Sequence, residues 1–483
     1  MSQRRQSGAG KAGHSDSDVD SLSDGEYSAN PSSSEEDDEL EGETHQQVRA
    51  RLAREYLDSV KMDVRRKRRR KRKKGAGSDS DGGDDSDDSS DESDDELSEN
   101  GAISKSLNIR ALKARNQFME RLADGISERL KGSPSPEARY YTGYKATPTA
   151  VDLSEDSSFA ASCDKLGTVV TWNIETGART YLSSKVTDRS SSVPQALSCS
   201  IAPDGGKTVL VGMSDGRSVV YDLRSKEVVE RLSGHKGKVV SVAHAPVPPY
   251  NCFTASEDRC VRSYTPQMQY IETLYGHQSH VTSLVCLPSG KPVTVSRDRT
   301  VRVWDIANGT HGIYRAGSEG GGADCVCPLG DKKIVTGSDD GCVRLWELGK
   351  KKPVDTVENA HSAKWVVSCC GVKPGFSDVC MSGSWDGKLR FYGLLEAGED
   401  GRKKAELWDV GSVEIDGFLN GLAMDKRGRF AVVAIGREHR LGRWEVCKGV
   451  KERLCVLPLL DAAKDDSDIS ENGDISESSE MSS

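Results

Sequence analysis

The stretch RDRTVRVWDI, residues 297–306, places an acid, Asp298, six positions before a tryptophan, Trp304. The same spacing, an Asp or Glu and then five residues before Trp or Tyr, recurs along the chain. It is found in SDGRSVVY (214–221), EDRCVRSY (257–264), DDGCVRLW (339–346), WDGKLRFY (385–392) and REHRLGRW (437–444). KLGTVVTW (165–172) is a seventh, degenerate copy, with Leu166 where the acid is expected. The repetition indicates one structural unit used seven times.

The closing aromatic residues of these units are spaced 40 to 52 residues apart. A period near 45 with four short strands per unit is typical of a β-propeller. Gly-His pairs precede two units, at Gly234-His235 and Gly276-His277, and Trp304-Asp305 is a Trp-Asp dipeptide. The pattern predicts an all-β, seven-bladed WD40 propeller over residues 139–460, preceded by an acidic and basic disordered tail with two helical segments. REHRLGRW is then the third strand of the last blade, with Glu438 as its turn acid and Trp444 as its aromatic. The strand that closes the ring stays open, because RYYTGY (139–144) and RLCVLPL (453–459) both fit.

The segments outside the propeller differ sharply in composition. We predict a disordered acidic, Ser-rich tail, an amphipathic helix, a basic run, an acidic linker, a helical segment and a second acidic tail. These occupy residues 1–42, 43–64, 65–74, 75–102, 103–131 and 461–483, respectively. Residues 79–99 hold twelve acids and no Lys or Arg, so the chain's net charge of -9 belongs to the tails. Residues 139–460 hold 42 Lys and Arg against 37 Asp and Glu, a net charge of +5, which is compatible with a nucleic-acid partner.

The basic run RRKRRRKRKK contains ten consecutive cationic residues. They are Arg65, Arg66, Lys67, Arg68, Arg69, Arg70, Lys71, Arg72, Lys73 and Lys74. Such a run is typical of a nuclear import signal or a nonspecific phosphate contact, although it could also only balance the neighbouring acids. We therefore expect the protein in the nucleus and nucleolus.

Recurring polar residues are predicted to form hydrogen-bonded sets that hold the turns of each blade. In blade 4, His277 is expected to reach Asp298, with Ser296 and Trp304 completing the set. The same roles are predicted for His235, Ser256 and Asp258 in blade 3, for Asp340 in blade 5, and for His361, Ser384 and Asp386 in blade 6. Because His, Asp and Ser recur in blade after blade, they indicate a scaffold and not a hydrolase.

From the sequence we expect no enzymatic activity, no cofactor, no bound metal and no membrane-spanning segment. The Gly-rich GSEGGGADC (317–325) lacks the Lys-Ser/Thr pair of a phosphate-binding loop. The thirteen cysteines show no matching Cys-x2-Cys pairs. No apolar run approaches the roughly 18 residues that a spanning helix needs.

Candidate binding residues are those that the repeat does not require. Residues directly before the turn acids are expected on one rim of the ring, where Arg297, Trp385 and Arg437 stand. Lys364 and Trp365 begin blade 6. Trp and Arg are favoured at interfaces, and an exposed Trp without a partner is costly. Blade 7 adds His439, Arg440 and Arg443, and a guanidinium at position 443 within a strand needs a partner or access to water.

Several strings are more specific than a repeat consensus. GREHRLGRWEV with RLCVLPL, DGFLNGL (416–422), ETLYGHQ (272–278), GSDDGCVRLWEL (337–348) and ETHQQVRARLAREYLDSVK (43–61) resemble the WD40-repeat family of the U3 small nucleolar ribonucleoprotein. The resemblance implies a non-catalytic nucleolar subunit that binds U3 snoRNA together with a kink-turn-binding protein. It also implies other box C/D and small-subunit processome partners, a propeller that is monomeric within the particle, and a role in small-subunit (18S) pre-rRNA processing. The alternative is a nuclear WD40 adaptor that binds peptides in a chromatin or ubiquitin-ligase complex.

Overall fold

The computed structural model describes residues 121–132, 137–182, 194–203, 205–248, 251–317, 320–373, 377–396 and 404–460. Within these residues the chain forms seven four-stranded antiparallel sheets and one helix, which confirms the predicted seven-bladed propeller. The amphipathic helix 43–64, the basic run 65–74, the acidic segments and the C-terminal tail 461–483 lie outside the described residues.

Blades 1 to 6 each use four consecutive strands, the first of which is innermost. Blade 1 consists of β2 (Pro148–Leu153), β3 (Phe159–Asp164), β4 (Val169–Asn173) and β5 (Arg179–Tyr181). Blade 2 consists of β6 (Ala196–Ile201), β7 (Thr208–Met213), β8 (Ser218–Asp222) and β9 (Val228–Leu232). Blade 3 consists of β10 (Val239–His244), β11 (Cys252–Ser256), β12 (Val261–Tyr264) and β13 (Tyr270–Leu274).

The next three blades repeat this arrangement. Blade 4 consists of β14 (Val281–Cys286), β15 (Pro292–Ser296), β16 (Thr300–Asp305) and β17 (Thr310–Arg315). Blade 5 consists of β18 (Ala323–Leu329), β19 (Lys333–Ser338), β20 (Val343–Glu347) and β21 (Asp355–Val357). Blade 6 consists of β22 (Val366–Gly371), β23 (Val379–Ser384), β24 (Lys388–Leu395) and β25 (Glu406–Glu414).

Blade 7 joins the two ends of the propeller. Its strands, from the inside outward, are β26 (Phe418–Met424), β27 (Phe430–Gly436), β28 (Arg453–Pro458) and β1 (Arg139–Thr142). Both sequence alternatives thus have a place: RLCVLP is the third strand and RYYT is the outer one. Arg139 pairs with Val456 and Thr142 with Arg453, so the outermost strand hydrogen-bonds to a partner from the far end of the chain.

The prediction that REHRLGRW forms the third strand of blade 7 is wrong. Residues 437–452 are a loop between β27 and β28, and only an isolated bridge between Glu438 and Val446 interrupts it. Glu438 and Trp444 thus have the spacing of the repeat without its third strand. The apolar RLCVLP pairs with β27 along its whole length, because its alternate side chains can be buried against the neighbouring blades.

Buried apolar side chains fill the spaces between adjacent blades. One cluster joins blades 5 and 6 through Val335, Leu345 and Leu394, and another joins blades 7 and 1 through Val432, Leu454 and Trp172. The strands are rich in Val and alternate in side-chain direction, so each sheet can pack against a neighbour on both faces.

Helix α1 (Ala123–Gly132), the described part of the predicted segment 103–131, packs across blades 6 and 7. Leu122, Ile126 and Leu130 belong to the core cluster of these blades. The carboxylate of Asp378 accepts hydrogen bonds from the N–H groups of Leu122 (2.7 Å) and Ala123 (3.3 Å). This carboxylate therefore caps the helix start from a distant part of the chain.

The position of α1 follows from the turns that it contacts. Asp378 and Gly428, which lies against Leu122, both belong to turns between the first and second strands of their blades. In an antiparallel meander these turns lie at the opposite end from the turns between the second and third strands. Helix α1 and the loop 437–452 are therefore on opposite faces of the ring.

Candidate nucleic-acid interface

The polar set of blade 4 forms a continuous hydrogen-bonded chain. Trp304 Nε1 donates to Thr294 Oγ1 (2.9 Å), and this hydroxyl lies 2.8 Å from His277 Nε2. His277 Nδ1 lies 3.0 Å from Asp298 Oδ2, and Asp298 Oδ1 accepts from the N–H of Thr300 (2.9 Å). The hydroxyl that joins histidine to tryptophan is therefore Thr294 and not Ser296, which instead donates to the carbonyl of Ser279.

Blades 3 and 6 repeat this chain with the same displacement of the hydroxyl. His235 lies 2.8 Å from Asp258 and 2.9 Å from Thr254. His361 lies 3.0 Å from Asp386 and 2.6 Å from Ser382. Ser256 accepts from the N–H of Asp258, and Ser384 donates to the carbonyl of Trp365. Both serines therefore bond to the backbone near the turn, and the histidines bond to Thr254 and Ser382.

The turn carboxylates of these sets are held ionised. Burial alone would raise the pKa of Asp258, but hydrogen bonds from His235 and from the N–H groups of Lys236 and Cys260 lower it to about 2. The same balance, with Thr300 as a further donor, lowers the pKa of Asp298. These carboxylates find their hydrogen-bond partners within the blade, so they are part of the scaffold.

Blades 5 and 1 replace the histidine and the turn acid differently. In blade 5, the guanidinium of Arg344 binds Asp340, whose carboxylate also accepts from the N–H groups of Gly321 and Cys342. In blade 1, Asp164 accepts from the N–H groups of Leu166 and Thr168, both at 2.9 Å. The acid expected at position 166 is thus supplied two residues earlier.

The loop 437–452 of blade 7, hereafter the blade-7 loop, crosses the centre of the ring. Arg440 is buried, and its guanidinium donates to the carbonyls of Thr282 (2.9 Å) on β14 and Val240 (3.4 Å) on β10. A residue of blade 7 therefore binds the innermost strands of blades 3 and 4. The nearby Asp324 on β18 is buried, which raises its pKa to about 6 against the opposing influence of Arg297 and Arg440.

A second anchor ties the blade-7 loop to blade 1. Glu438 is buried and receives Lys165 Nζ at 3.0 Å on one carboxylate oxygen and Arg443 Nε at 2.7 Å on the other. Lys165 also donates to the carbonyl of Gly442 (3.0 Å). Burial would raise the pKa of Glu438, but these two cations lower it. Glu438 therefore anchors the loop.

Five aromatic side chains meet around the blade-7 loop, and we call them the aromatic cluster. They are Trp365, Trp385, Phe418, His439 and Trp444. Trp365 lies 5.3 Å from both His439 and Trp444, and Trp385 stacks on Phe418 at 5.8 Å. Trp444 is 56% exposed, whereas Phe418 and His439 are buried. The cluster is therefore a packed patch with one open ring.

His439 contributes to this cluster as a neutral ring. Burial, together with the positive charges of Arg440 and Lys165, lowers its pKa to about 3. Its Nδ1 accepts a hydrogen bond from the N–H of Leu441 (3.2 Å), which fits an unprotonated nitrogen. Glu438 is thus paired with Lys165 and Arg443 instead of with the adjacent histidine, and His439 does not titrate near neutral pH.

Cations flank the aromatic cluster. Lys364 Nζ lies 4.2 Å from the ring centre of Trp385, and the guanidinium carbon of Arg297 lies 5.9 Å from that of Trp365. Arg443 has a side chain that is 80% exposed beside Trp444. Cations over aromatic faces, next to an exposed ring, are a common arrangement at surfaces that bind nucleic acid.

The structure thus divides the predicted site residues into two groups. It brings together Arg297, Lys364, Trp365, Trp385, His439 and Arg443. Arg440 points into the ring, and Arg437 turns towards the carbonyl of Val450 (2.8 Å) and Glu452 (3.2 Å) within the loop. Trp444 was assigned to a strand from sequence. Its aromatic spacing of 52 residues, the longest of the series, was the available signal that blade 7 departs from the others.

Comparisons with known proteins agree with this fold. The family described as WD domain, G-beta repeat matches residues 226–265, 268–305 and 317–347. Three stretches of the chain therefore match the WD40 repeat. It is 28% identical to a U3 snoRNP-associated protein-like protein of Oryza sativa subsp. japonica, over 70% of this chain and 71% of that one. It is 26% identical to Ribosomal RNA-processing protein 9 of Saccharomyces cerevisiae, over 52% of this chain and 55% of that one.

A solved structure extends the likeness to the whole propeller. The structure of U3-55K is 27% identical and superposes with a TM-score of 0.61, over 67% of this chain and all of that one. These relatives confirm the resemblance to the WD40-repeat proteins of the U3 small nucleolar ribonucleoprotein.

The described residues show neither a metal site nor a membrane-spanning helix. No group of three or more His, Cys, Asp and Glu side chains there is placed to hold a metal ion. The described part of the chain also contains no helix that is long and apolar enough to cross a membrane.

Proposed function

We propose that this chain is a non-catalytic subunit of the U3 box C/D small nucleolar ribonucleoprotein that acts in small-subunit (18S) pre-rRNA processing. It would bind U3 snoRNA through the aromatic cluster and its flanking cations. The names of its relatives refer to the U3 particle and to ribosomal RNA processing. The observation that carries the proposal is the packing of Arg297 and Lys364 over aromatic rings beside the exposed Trp444.

Electrostatics supports an RNA partner. Residues 139–460 carry a net charge of +5 although the whole chain carries -9. Arg297, Lys364 and Arg443 stand around the blade-7 loop, which binds blades 1, 3 and 4. Cationic side chains that neutralise phosphates release counterions, which provides affinity that falls with salt. Aromatic faces add contacts with bases.

The same geometry favours a binding role over catalysis. His235, His277 and His361 are each engaged by a turn aspartate and a hydroxyl of the scaffold. His439 is neutral and packed among aromatic rings. In the described residues, none of these histidines is placed to activate a nucleophile.

The partners proposed for the chain follow from the same family. A kink-turn-binding protein and other box C/D and small-subunit processome proteins would contact the remaining propeller surface, with the propeller monomeric within the particle. The predicted amphipathic helix 43–64 would be a further anchor, and the basic run 65–74 would direct the protein to the nucleus and nucleolus.

A pull-down followed by RNA sequencing tests this function. The full chain is expected to enrich U3 over other small nucleolar RNAs. The double variant Arg297→Glu, Lys364→Glu should lose most of that enrichment and reduce the slope of log affinity against log salt by about 2, one unit per lost phosphate contact.

The matched control reverses two charges on the other face of the ring. The double variant Lys426→Glu, Arg427→Glu changes the β26–β27 turn, on the same face of the ring as α1. It should enrich U3 as strongly as the parent chain. Absence of U3 enrichment by the parent chain would reject the proposal. Recovery of chromatin or ubiquitin-ligase subunits without U3 would support the adaptor alternative instead.

A further inference from the structure

We infer that Trp444 is a stacking platform for one unpaired RNA base, and that the site therefore selects single-stranded over duplex RNA. This inference rests on the proposed function and specifies the form of RNA that the same site takes. Its basis is the way in which the tryptophan is held, the charges around it and the geometry of paired and unpaired bases.

Trp444 is fixed in orientation although it is exposed. Its ring centre lies 5.3 Å from that of Trp365 at an interplanar angle of 84°, and 5.1 Å from that of His439 at 48°. The ring also lies on the backbone of Gly442, where an added Cβ would stand 2.8 Å from ring atoms Cε2 and Cζ2. Only glycine permits this approach, because a real Cβ contact is never so short.

An ordered and open tryptophan is a costly arrangement in water. The ring is 56% exposed, and Val446, close to it in the loop, is also exposed. The loop itself is held by Lys165 from blade 1 and by Arg440 against blades 3 and 4. A partner that meets this ring therefore finds it in place and has little conformational entropy to remove.

The charges around the ring favour RNA over a protein as the partner. Arg443 adjoins Trp444 in sequence, and its side chain is 80% exposed. Arg297 lies over Trp365, which in turn contacts Trp444. Although Glu445 follows Trp444, Arg443 binds Glu438 through Nε and keeps most of its guanidinium exposed. Arg443 and the nearby Arg297 can therefore meet the phosphate of a nucleotide whose base stacks on Trp444.

The unpaired state of the base follows from geometry. In an A-form helix both faces of each base are covered by its neighbours, and the deep groove excludes bulky side chains. Only a base in a loop, bulge or single strand can present a face to Trp444. Every base has such a face, so stacking here would recognise the absence of pairing more than the identity of the base.

The inference is tested with full-length variants and two RNA probes. Trp444→Leu keeps an apolar side chain and removes the aromatic face, and Trp444→Phe keeps a face. Each is titrated with a short single-stranded oligoribonucleotide and with the same strand annealed to its complement. Trp444→Leu should bind the single strand about tenfold more weakly. Trp444→Phe should retain most of the affinity, and the duplex should bind all variants equally.

Tyr270 provides the matched control, because it is 54% exposed on the outer strand of blade 3. Tyr270→Leu should leave both titrations unchanged. Binding of the single strand should also quench tryptophan fluorescence in the parent, and Trp444→Phe should remove that quenching while it still binds. This signature separates stacking from a loss of fold.

The possible failures are distinguishable. If Trp444→Leu binds the single strand as the parent does while Arg297→Glu, Lys364→Glu weakens it, the stacking inference is rejected and the RNA-binding function stands. If Trp444→Leu keeps RNA and loses a protein partner, the ring is a protein-docking residue and the inference is again rejected. If the parent shows stacking on single strands but no preference for U3, the proposed function fails alone.

Discussion

Blade 4 and blade 7 differ in what joins their second and third strands. In blade 4 the connection is the tight turn between Ser296 and Thr300, whose Asp298 is bonded within the blade. In blade 7 it is the loop 437–452, whose polar groups bind blades 1, 3 and 4. Polar contacts within one blade stabilise that blade. Polar contacts between the blade-7 loop and other blades instead hold the candidate binding surface in position. Substitutions in the two regions should therefore affect different measurements.

The largest effect is expected in blade 4. Asp298→Ala removes the carboxylate that binds His277 and the N–H groups of Gln278 and Thr300. Since buried donors are left without partners, the free energy of unfolding should fall by about 3 kcal/mol, as measured by chemical denaturation. The folded fraction should still bind U3 normally. A variant as stable as the parent would show that this polar set does not hold the turn.

Acid should reproduce part of this loss in the parent. The folded-state pKa of Asp298 is lowered, so its contribution is present above its unfolded pKa of about 4 and is lost as the pH falls through the folded value. Two hydroxyl variants sharpen the assignment. Thr294→Val breaks the link between His277 and Trp304 and should cost about 2 kcal/mol. Ser296→Ala loses two longer bonds, one to the carbonyl of Ser279 and one from the N–H of Asp298, and should cost about 1 kcal/mol.

Blade 7 should show the opposite pattern. Arg440→Met removes the guanidinium that ties the blade-7 loop to Val240 and Thr282. Because the loop is then free to move, the affinity for U3 should fall about tenfold. The free energy of unfolding should change by less than about 1 kcal/mol, because the substitution also removes a buried charge. Hydrogen exchange should become faster in residues 437–452 and stay unchanged in blade 4. Unchanged hydrogen exchange in residues 437–452 would contradict a positioning role for Arg440.

The last effect is a gain in stability and concerns Asp324, which lies near Arg297 of blade 4 and Arg440 of the blade-7 loop. Burial raises its pKa to about 6, so the charged form disfavours the folded state, and stability declines as the pH rises from about 4 through 6. Asp324→Asn should therefore be more stable than the parent by about 2 to 3 kcal/mol at pH 7, with the difference becoming small near pH 4. Denaturation curves at the two pH values measure it. A constant difference would mean that Asp324 does not titrate with folding.

The seven blades could be predicted from the sequence, but the blade-7 loop was wrongly predicted to be a strand. Turn acids, Gly-His pairs and closing aromatics are local signals, because each one acts within about 40 residues of its partners. Such a pattern could not show that His277 bonds Thr294 and not Ser296, because both hydroxyls lie on the same face of β15, two residues apart. Blade 7 was assigned wrongly because Glu438 and Trp444 satisfy the spacing while the true third strand contains no Trp or Tyr.

The candidate site was only partly predictable for a related reason. Arg297, Lys364, Trp365 and Trp385 were identified because they depart from the repeat at positions expected on the rim, although Lys364 and both tryptophans are half-buried in the structure. The partners of Arg440 could not be found in this way, since Val240 and Thr282 contribute only backbone carbonyls, which have no signature in sequence. The same applies to Lys165, whose contact with Glu438 joins the first blade to the last.

The pairing of β1 with β28 also has a consequence for synthesis. A ribosome makes Arg139 long before Val456, its partner in the sheet. Until then β1 has no strand to join, and α1 lacks the blade-7 residues on which it packs. The ring can therefore close only after translation has reached the final strand. During that interval blades 1 and 6 each expose a surface that blade 7 will cover. Chaperone binding should accordingly be strongest on nascent chains that end just before residue 453.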